Sequence, residues 1–227
     1  MILSHPLLEQ GISFEELHLQ VLIAEEQAVF RGMVSSLHAQ ADGNEGDFRL
    51  YDQQRGCLLS CSEHLTLVTD YMGLSLAERR FQHRLQQYFR DVMYEEMLPA
   101  THQLRLAIEE YLQVFAAHSQ LPVDFDVPTG MMHQLLKAFG VTVALDGTDP
   151  LAALLDYLNA VNFLFSENLS ILVCAGCYFG TEDVLEINRF AQSRKSNTLL
   201  LDCCRRYIPV LPRQTYVIDR DLCAIYP

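Results

Sequence analysis

Apolar positions along this chain follow two rhythms, one of period two and one near 3.6. Residues 17–24 (LHLQVLIA) alternate and then run apolar, which predicts a strand. Val29, Met33 and Leu37 recur at four-residue spacing within 26–38, which predicts a helix. The turn-rich DGNEGD at 42–47 ends it. Short strands are expected at 48–51 and 57–60 around a turn at 52–56, then at 65–69. The run of Leu65, Leu67 and Val68 stops at Asp70 and Gly73, and a long, mostly helical excursion begins. Phe81, Leu85, Tyr88 and Val92 make a stripe suited to packing on another helix, and Leu104, Ile108, Leu112 and Phe115 continue the spacing. Between the stripes stands Pro99, which lacks an amide donor and crowds the preceding turn, so a break or kink is expected there. LPVDFDVPTG (121–130) reads as a loop, and 131–139 as a helix stopped by Gly140 in a favourable C-cap position.

A strand pattern returns at 141–144, and DGTDP (146–150) reads as a turn and helix start before a helix at 151–165. SILVCA (170–175) has the continuous apolar character of a central parallel strand, buried on both faces. A helix is expected at 181–192, with Thr181 as N-cap and acids in its first turn. Residues 198–201 read as another central strand, and 216–218 and 222–225 complete the sheet. The expected fold class is α/β: a head of residues 1–74 and 141–227, with a helical leg of residues 75–140 inserted in it. Inserted arms of this kind assemble rings and clamps more often than they do chemistry.

Of 227 residues, 50% are hydrophobic and 20% charged, which supports a real core and excludes a disordered chain. No uninterrupted apolar stretch reaches the ~18 residues of a membrane span. The start, MILSHPLLEQ, lacks the basic residues and long apolar run of a signal peptide. A cytoplasmic protein with no membrane partner is expected. The seven cysteines are an odd number, which argues against a disulfide framework.

The net charge of −13 argues at face value against nucleic acid, since non-specific DNA affinity comes mostly from Lys and Arg on phosphates. The charge is uneven, however. Arg79, Arg80, Arg84 and Arg90 fall close together, Arg194 and Lys195 form a second group, and Arg205, Arg206 and Arg213 a third. These are either solvated surface or a local positive surface on an acidic body, with divalent cations screening the rest.

No phosphate-binding loop of the G-x-x-x-x-G-K-[ST] type is present, and no G-x-G-x-x-G. The loop AGCYFGTED could offer a helix N-terminus to an anion, but no lysine follows and Glu182 and Asp183 would repel phosphate. Cys174 and Cys177 form a CxxC, but a zinc site wants a second ligand pair, and the adjacent Cys203 and Cys204 cannot copy that spacing. Cys174 is therefore read as a packing residue inside a strand, and Cys57 and Cys61 likewise. The acids near the CxxC oppose a redox role. The histidines do not cluster, and no nucleophile elbow is present. Asp124 and Asp126 flank Phe125 and would point to one side of an extended segment. They could begin an oxygen-ligand site for calcium, with Glu109 and Glu110 of the preceding helix, carbonyls or water completing it. The other reading is a solvated acidic loop.

The order and spacing of these parts carry a resemblance. The segments VFRGMVSSLHAQADGNEGDFRLYD (29–52), LTLVTDYMGLSL (65–76), LLKAFGVTVALDGTDPLAALLDYLNAVNFLFSENLSILVCAG (135–176) and TLLLD (198–202) resemble the small DNA-end-binding ring protein of type II-A CRISPR adaptation modules. The arm at 77–120 matches in pattern more than in letters. The resemblance implies a head like that of phosphate-loop ATPases without a working nucleotide loop, plus a helical leg. It also implies a homotetrameric ring holding linear double-stranded DNA in a positively charged hole, calcium dependence, no catalysis, and work beside the CRISPR integrase proteins and effector nuclease in spacer acquisition. The family has an acidic calcium-binding segment before a helix ending K-x-x-G-V. Lys137 in KAFGV matches that lysine, and Asp124 and Asp126 match two of the acids, while Pro128 and Thr129 stand where acids would be expected. Lys137 is the first candidate to line the hole, Arg79, Arg80 and Arg84 the second, and Arg194 and Lys195 the third. Two competing expectations are a nucleotide-binding α/β enzyme using an atypical loop at 176–181, and a scaffold of the adaptation complex without direct DNA contact.

Overall fold

The computed structural model describes the chain apart from residues 129, 131, 146, 148, 166, 206–208, 210, 212 and 227. Thr129, Met131, Asp146 and Arg206, named above, lie outside the described residues. The chain divides into two compact units, Met1–Ser75 with Leu145–Pro227, and Leu76–Ala144.

The first unit is α/β, built on a mixed sheet of six strands. Its most apolar runs pair at the centre, as strands covered on both faces must. The strands are β3 (Leu19–Ala24), β6 (Leu65–Val68), β7 (Leu169–Val173), β8 (Asn197–Asp202), β9 (Thr215–Ile218) and β10 (Ala224–Ile225), in the order β10-β9-β3-β8-β7-β6. All neighbours are parallel except β10 on β9. Every residue of β3 and β7 is buried. Because side chains alternate across a strand, Leu22, Ala24, Ile171, Val173, Leu199 and Leu201 face one core, shared with Met33 and Leu37 of α1 (Gln27–Ala41). α6 (Pro150–Leu164) packs on α7 (Thr181–Arg194), which also meets β3.

A second, antiparallel sheet closes that core. It has the order β2-β1-β4-β5, from β1 (Ile2–Ser4), β2 (Ile12–Ser13), β4 (Arg49–Asp52) and β5 (Cys57–Leu59). The hairpin of β4 and β5 turns through Gly56 at φ +63°, in the left-handed region that glycine enters without steric cost. β1, β2 and the single-turn α2 (Cys61–His64) are too short for periodicity to reveal.

Gln40 ties this sheet to α1. Its Nε2 donates to the Phe48 carbonyl at 2.9 Å and its Oε1 accepts the Phe48 amide at 3.1 Å, all buried. Gln40→Ala strands both backbone groups, each costing about 1–3 kcal/mol when left unpaired. A urea melt followed by far-ultraviolet circular dichroism is expected to show a loss of at least about 2 kcal/mol. An unchanged midpoint would show that water replaces the side chain freely.

The second unit is helical. α3 (Arg79–Asp91) buries Phe81 and Leu85, as its stripe requires. It passes through a π turn (Val92–Glu96) into α4 (Leu98–His118), with Pro99 in the first turn where its missing amide costs nothing. In the π turn the Met97 amide bonds back to Val92, and the Thr101 hydroxyl donates to the Met93 carbonyl at 2.9 Å. The second stripe is only half covered: Ile108 and Leu112 are half-buried, while Leu104, Phe115 and the neighbouring Leu106, Tyr111 and Val114 are exposed. α5 (His133–Ala138) comes after a segment at 122–128 without regular structure.

Several expectations need correction. Residues 141–144 form no strand. Gly140 at φ +66° closes α5 with a paired turn in which its amide bonds to Lys137 and the Val141 amide to Leu136. Among the described residues no strand pairs with the segment that follows. The N-cap of α7 is Gly180, not Thr181; the Asp183 carboxylate accepts the Gly180 amide at 2.9 Å. Cys174 lies past the end of β7, in a left-handed conformation at φ 55°. Cys57 is exposed rather than packed, whereas Cys61 does pack against the core.

Candidate nucleic-acid interface

Lys137 takes its place from the end of α5. The glycine-closed turn fixes the last helical residues, and the exposed Lys137 side chain stands in that final turn, where a cation also suits the helix dipole. α5 packs on α3, leaving a groove of about 770 Å³ between them. Gln82, Leu85, Gln86 and Phe89 form its α3 wall; His133 and Lys137 stand on the other. Arg79 is exposed one turn before Gln82, on the same side of α3. Arg80 and Arg84 fall on a neighbouring side, with the Arg80 guanidinium 5.2 Å from the Phe81 ring centroid. Arg90 is 3.4 Å from Asp91, which offsets its charge. The second unit thus places Lys137 on a groove that Arg79 flanks, and sets Arg80 and Arg84 to one side of it.

Arg194 and Lys195 are exposed at the C-terminal end of α7, in the first unit. Lys195 lines a cleft of about 370 Å³ shared with Glu15, Asp52, Arg55 and Glu167. Arg55 there pairs with Glu167 at 2.7 Å, so the cleft carries acids that would oppose phosphate. Arg205 is likewise paired, with Glu25 at 2.7 Å.

The acids expected to hold calcium are not gathered. Asp124 and Asp126 are exposed in a segment without regular structure, and Asp124 Oδ1 accepts the next residue's amide at 3.0 Å. Glu109 is half-buried and paired with Arg105 one turn earlier, and Glu110 is exposed. Among the described residues these four form no three-ligand group.

Both strand-to-helix turns that could receive a phosphate carry acids. Between β3 and α1 stand only Glu25 and Glu26, and Glu26 itself accepts the Ala28 amide at 3.4 Å. At α7 the Gly180 amide is taken by Asp183.

One constellation escaped the sequence. β7 and β8 run parallel with Val173 opposite Leu201, so Cys174 and Asp202 emerge side by side, with Cys203 next to them. The ligand atoms of Cys174, Asp202 and Cys203 all lie within 4.8 Å of one another. Burial pushes the Cys174 thiol up to about 12, helped by the Asp202 carboxylate, Cys203 and Cys177. Burial also raises Asp202, against the amides of Cys203, Cys204 and Gly176, which lower it. The strand pairing that makes this neighbourhood is invisible in the spacing of the cysteines.

A family model, CRISPR-associated protein (Cas_Csn2), matches residues 40–222, most of both units. The chain belongs to the Csn2 family. Csn2 membership supports a role in type II-A CRISPR adaptation. No curated protein matches the chain. The Csn2 match spans the groove between α3 and α5, the loop that holds Asp124 and Asp126, and the cluster of Cys174, Asp202 and Cys203 alike. Among the described residues no helix is long and apolar enough to cross a membrane.

Proposed function

We propose that this Csn2-family chain binds the ends of linear double-stranded DNA as a homotetrameric ring during CRISPR spacer acquisition, without catalysing a reaction. The observation that carries the reading is Lys137 on a groove of the helical unit with Arg79 beside it, in a chain whose family works in type II-A adaptation. Two solvent-facing cations suit phosphates, which position DNA without reading its sequence. The exposed Leu104, Tyr111 and Phe115, which share one side of α4, support assembly, since such side chains are better placed against a second copy than in water. The five parallel strands of the head's mixed sheet support a phosphate-loop-ATPase-like head, and the acids at Glu26 and Asp183 favour a role other than nucleotide binding.

Calcium belongs to the proposal as a requirement. Asp124 and Asp126 are open to solvent, where carbonyls, water or oxygens of another copy would complete the shell. The ring would present DNA ends to the CRISPR integrase proteins and the effector nuclease, which do the chemistry.

Binding of unrelated linear duplexes across a salt series tests the reading. Affinities are expected to agree between sequences and to fall linearly in log–log form, with a slope of about −0.9 for each phosphate neutralised. The same series with a chelator is expected to show weaker binding. Strong preference for one sequence, or affinity that ignores salt, would overturn it.

A further inference from the structure

The cluster at the carboxyl ends of β7 and β8 is not used by DNA binding, and it lies apart in sequence from the loop of Asp124 and Asp126. In open α/β sheets this edge is where ligands bind. Here the edge carries thiols and a carboxylate in place of a phosphate loop. Asp202 is fully buried, and its Oδ1 accepts the amides of Cys203 at 2.8 Å and Cys204 at 3.3 Å. Among the described residues its Oδ2 makes no hydrogen bond, although the Gly176 amide also bears on the carboxylate. A buried, unpartnered carboxylate oxygen is costly unless something positive meets it. The two nearest groups of ligand character are the Cys174 and Cys203 thiols.

We propose that Cys174, Asp202 and Cys203 bind one zinc ion, with the exposed Cys177, whose sulfur stands outside that 4.8 Å group, turning in as fourth ligand. The chemistry of the donors selects the metal: thiolates prefer zinc and other soft cations to calcium or magnesium, which take oxygen. The dimensions fit. Zinc–sulfur bonds near 2.3 Å in a tetrahedron place sulfurs about 3.8 Å apart, so the ligand atoms of Cys174, Asp202 and Cys203, already within 4.8 Å, need to close by about 1 Å or less, while Cys177 has to move further. Cys174 and Cys177 have the two-residue spacing of a zinc turn, drawn together by the bond from the Cys177 amide to the Cys174 carbonyl at 3.0 Å. The second pair is supplied by the neighbouring strand rather than by a second CxxC. Tyr71 packs against Tyr178 and Phe179, with ring centroids 4.8 and 5.1 Å apart, and its hydroxyl bonds to the Val173 carbonyl at 2.9 Å, giving the site an aromatic wall. Binding replaces thiol protons by the metal, with no change of oxidation state: the three cysteine ligands release three protons to solvent and no electron moves. The ion would clamp the ends of two central strands, the place a nucleotide's phosphates occupy in related sheets.

The test uses the full chain, stripped with chelator under reductant and loaded with zinc or with cobalt(II) as a visible reporter. One zinc per chain is expected to survive gel filtration. Cobalt is expected to give thiolate charge-transfer absorption and the bands of tetrahedral coordination, which added zinc abolishes and calcium does not. Alkylation with mass mapping is expected to show Cys174 and Cys203 protected by zinc while exposed Cys57 and Cys223 react as before. Cys203→Ser is expected to weaken zinc binding at least tenfold and Cys57→Ser to leave it unchanged. The alkylation measurement needs no variant, so it decides the matter even where Cys203→Ser fails to fold. No retained zinc, a cobalt spectrum without thiolate character, or protection that falls on other cysteines overturns the proposal.

Discussion

Leu199→Ala is expected to destabilise the first unit by about 2–5 kcal/mol, the range for emptying a buried leucine site in a packed core. Leu199 is fully buried in the middle of β8, pairs in register with Ile171, and belongs to the core that also includes Leu22, Met33 and Leu37. Both neighbouring strands are themselves paired on their far sides, so the sheet has little freedom to collapse into the cavity. The matched control is Leu106→Ala on α4, where the side chain is 46% exposed and the expected change is under about 0.5 kcal/mol for the separated chain. Urea denaturation monitored by circular dichroism compares the two. Equal small effects would mean that β8 is not the centre of the core.

Lys137→Glu is expected to weaken DNA binding by more than about tenfold and to reduce the log–log salt slope by about 0.9 for every phosphate the side chain no longer neutralises. In a homotetramer the substitution acts four times over, so the change in slope should exceed that of a single lysine–phosphate pair. The effect is a reversal of charge at an exposed position in the last turn of α5, so the fold should survive with only a minor helix-dipole cost. Arg79→Glu should act in the same direction, since it stands beside the same groove. Lys195→Glu should do less, because Lys195 shares its cleft with Glu15, Asp52 and Glu167. Fluorescence anisotropy on a labelled linear duplex at several salt concentrations reads all three. A Lys195 effect larger than that of Lys137 would move the DNA to the first unit.

The parts of the fold that could be read from the chain are those in which one physical rule dominates. LQVLIA in β3, LSILV in β7 and TLLL in β8 are apolar but for Gln20, Ser170 and Thr198, because both faces of a central parallel strand are covered. α1 and α3 show one apolar stripe each, and Gly140 stops α5 at a left-handed position. What misled was local pattern without a partner. Residues 141–143 look like a strand because they are β-branched, but strands exist by pairing, and among the described residues none pairs with them. Thr181 looks like the better N-cap, yet Asp183 reaches back to Gly180 and sets the boundary one residue earlier. The candidate site divides in the same way. Lys137 is singled out by the family resemblance and Arg79 by a cluster of arginines, whereas the groove they share needs the packing of α5 on α3. Cys203 gave no signal beside Cys204, because its neighbour in space, Cys174, is supplied by parallel pairing across β7 and β8.

The central claim is that DNA is threaded through a closed ring from an end. One gel-shift experiment tests it directly, comparing a linear duplex with the same sequence closed into a circle, each with calcium and with chelator. A threaded ring binds the linear form, leaves the circle unbound, and releases the linear form on chelation. Equal binding to both forms would contradict threading and describe an open groove instead.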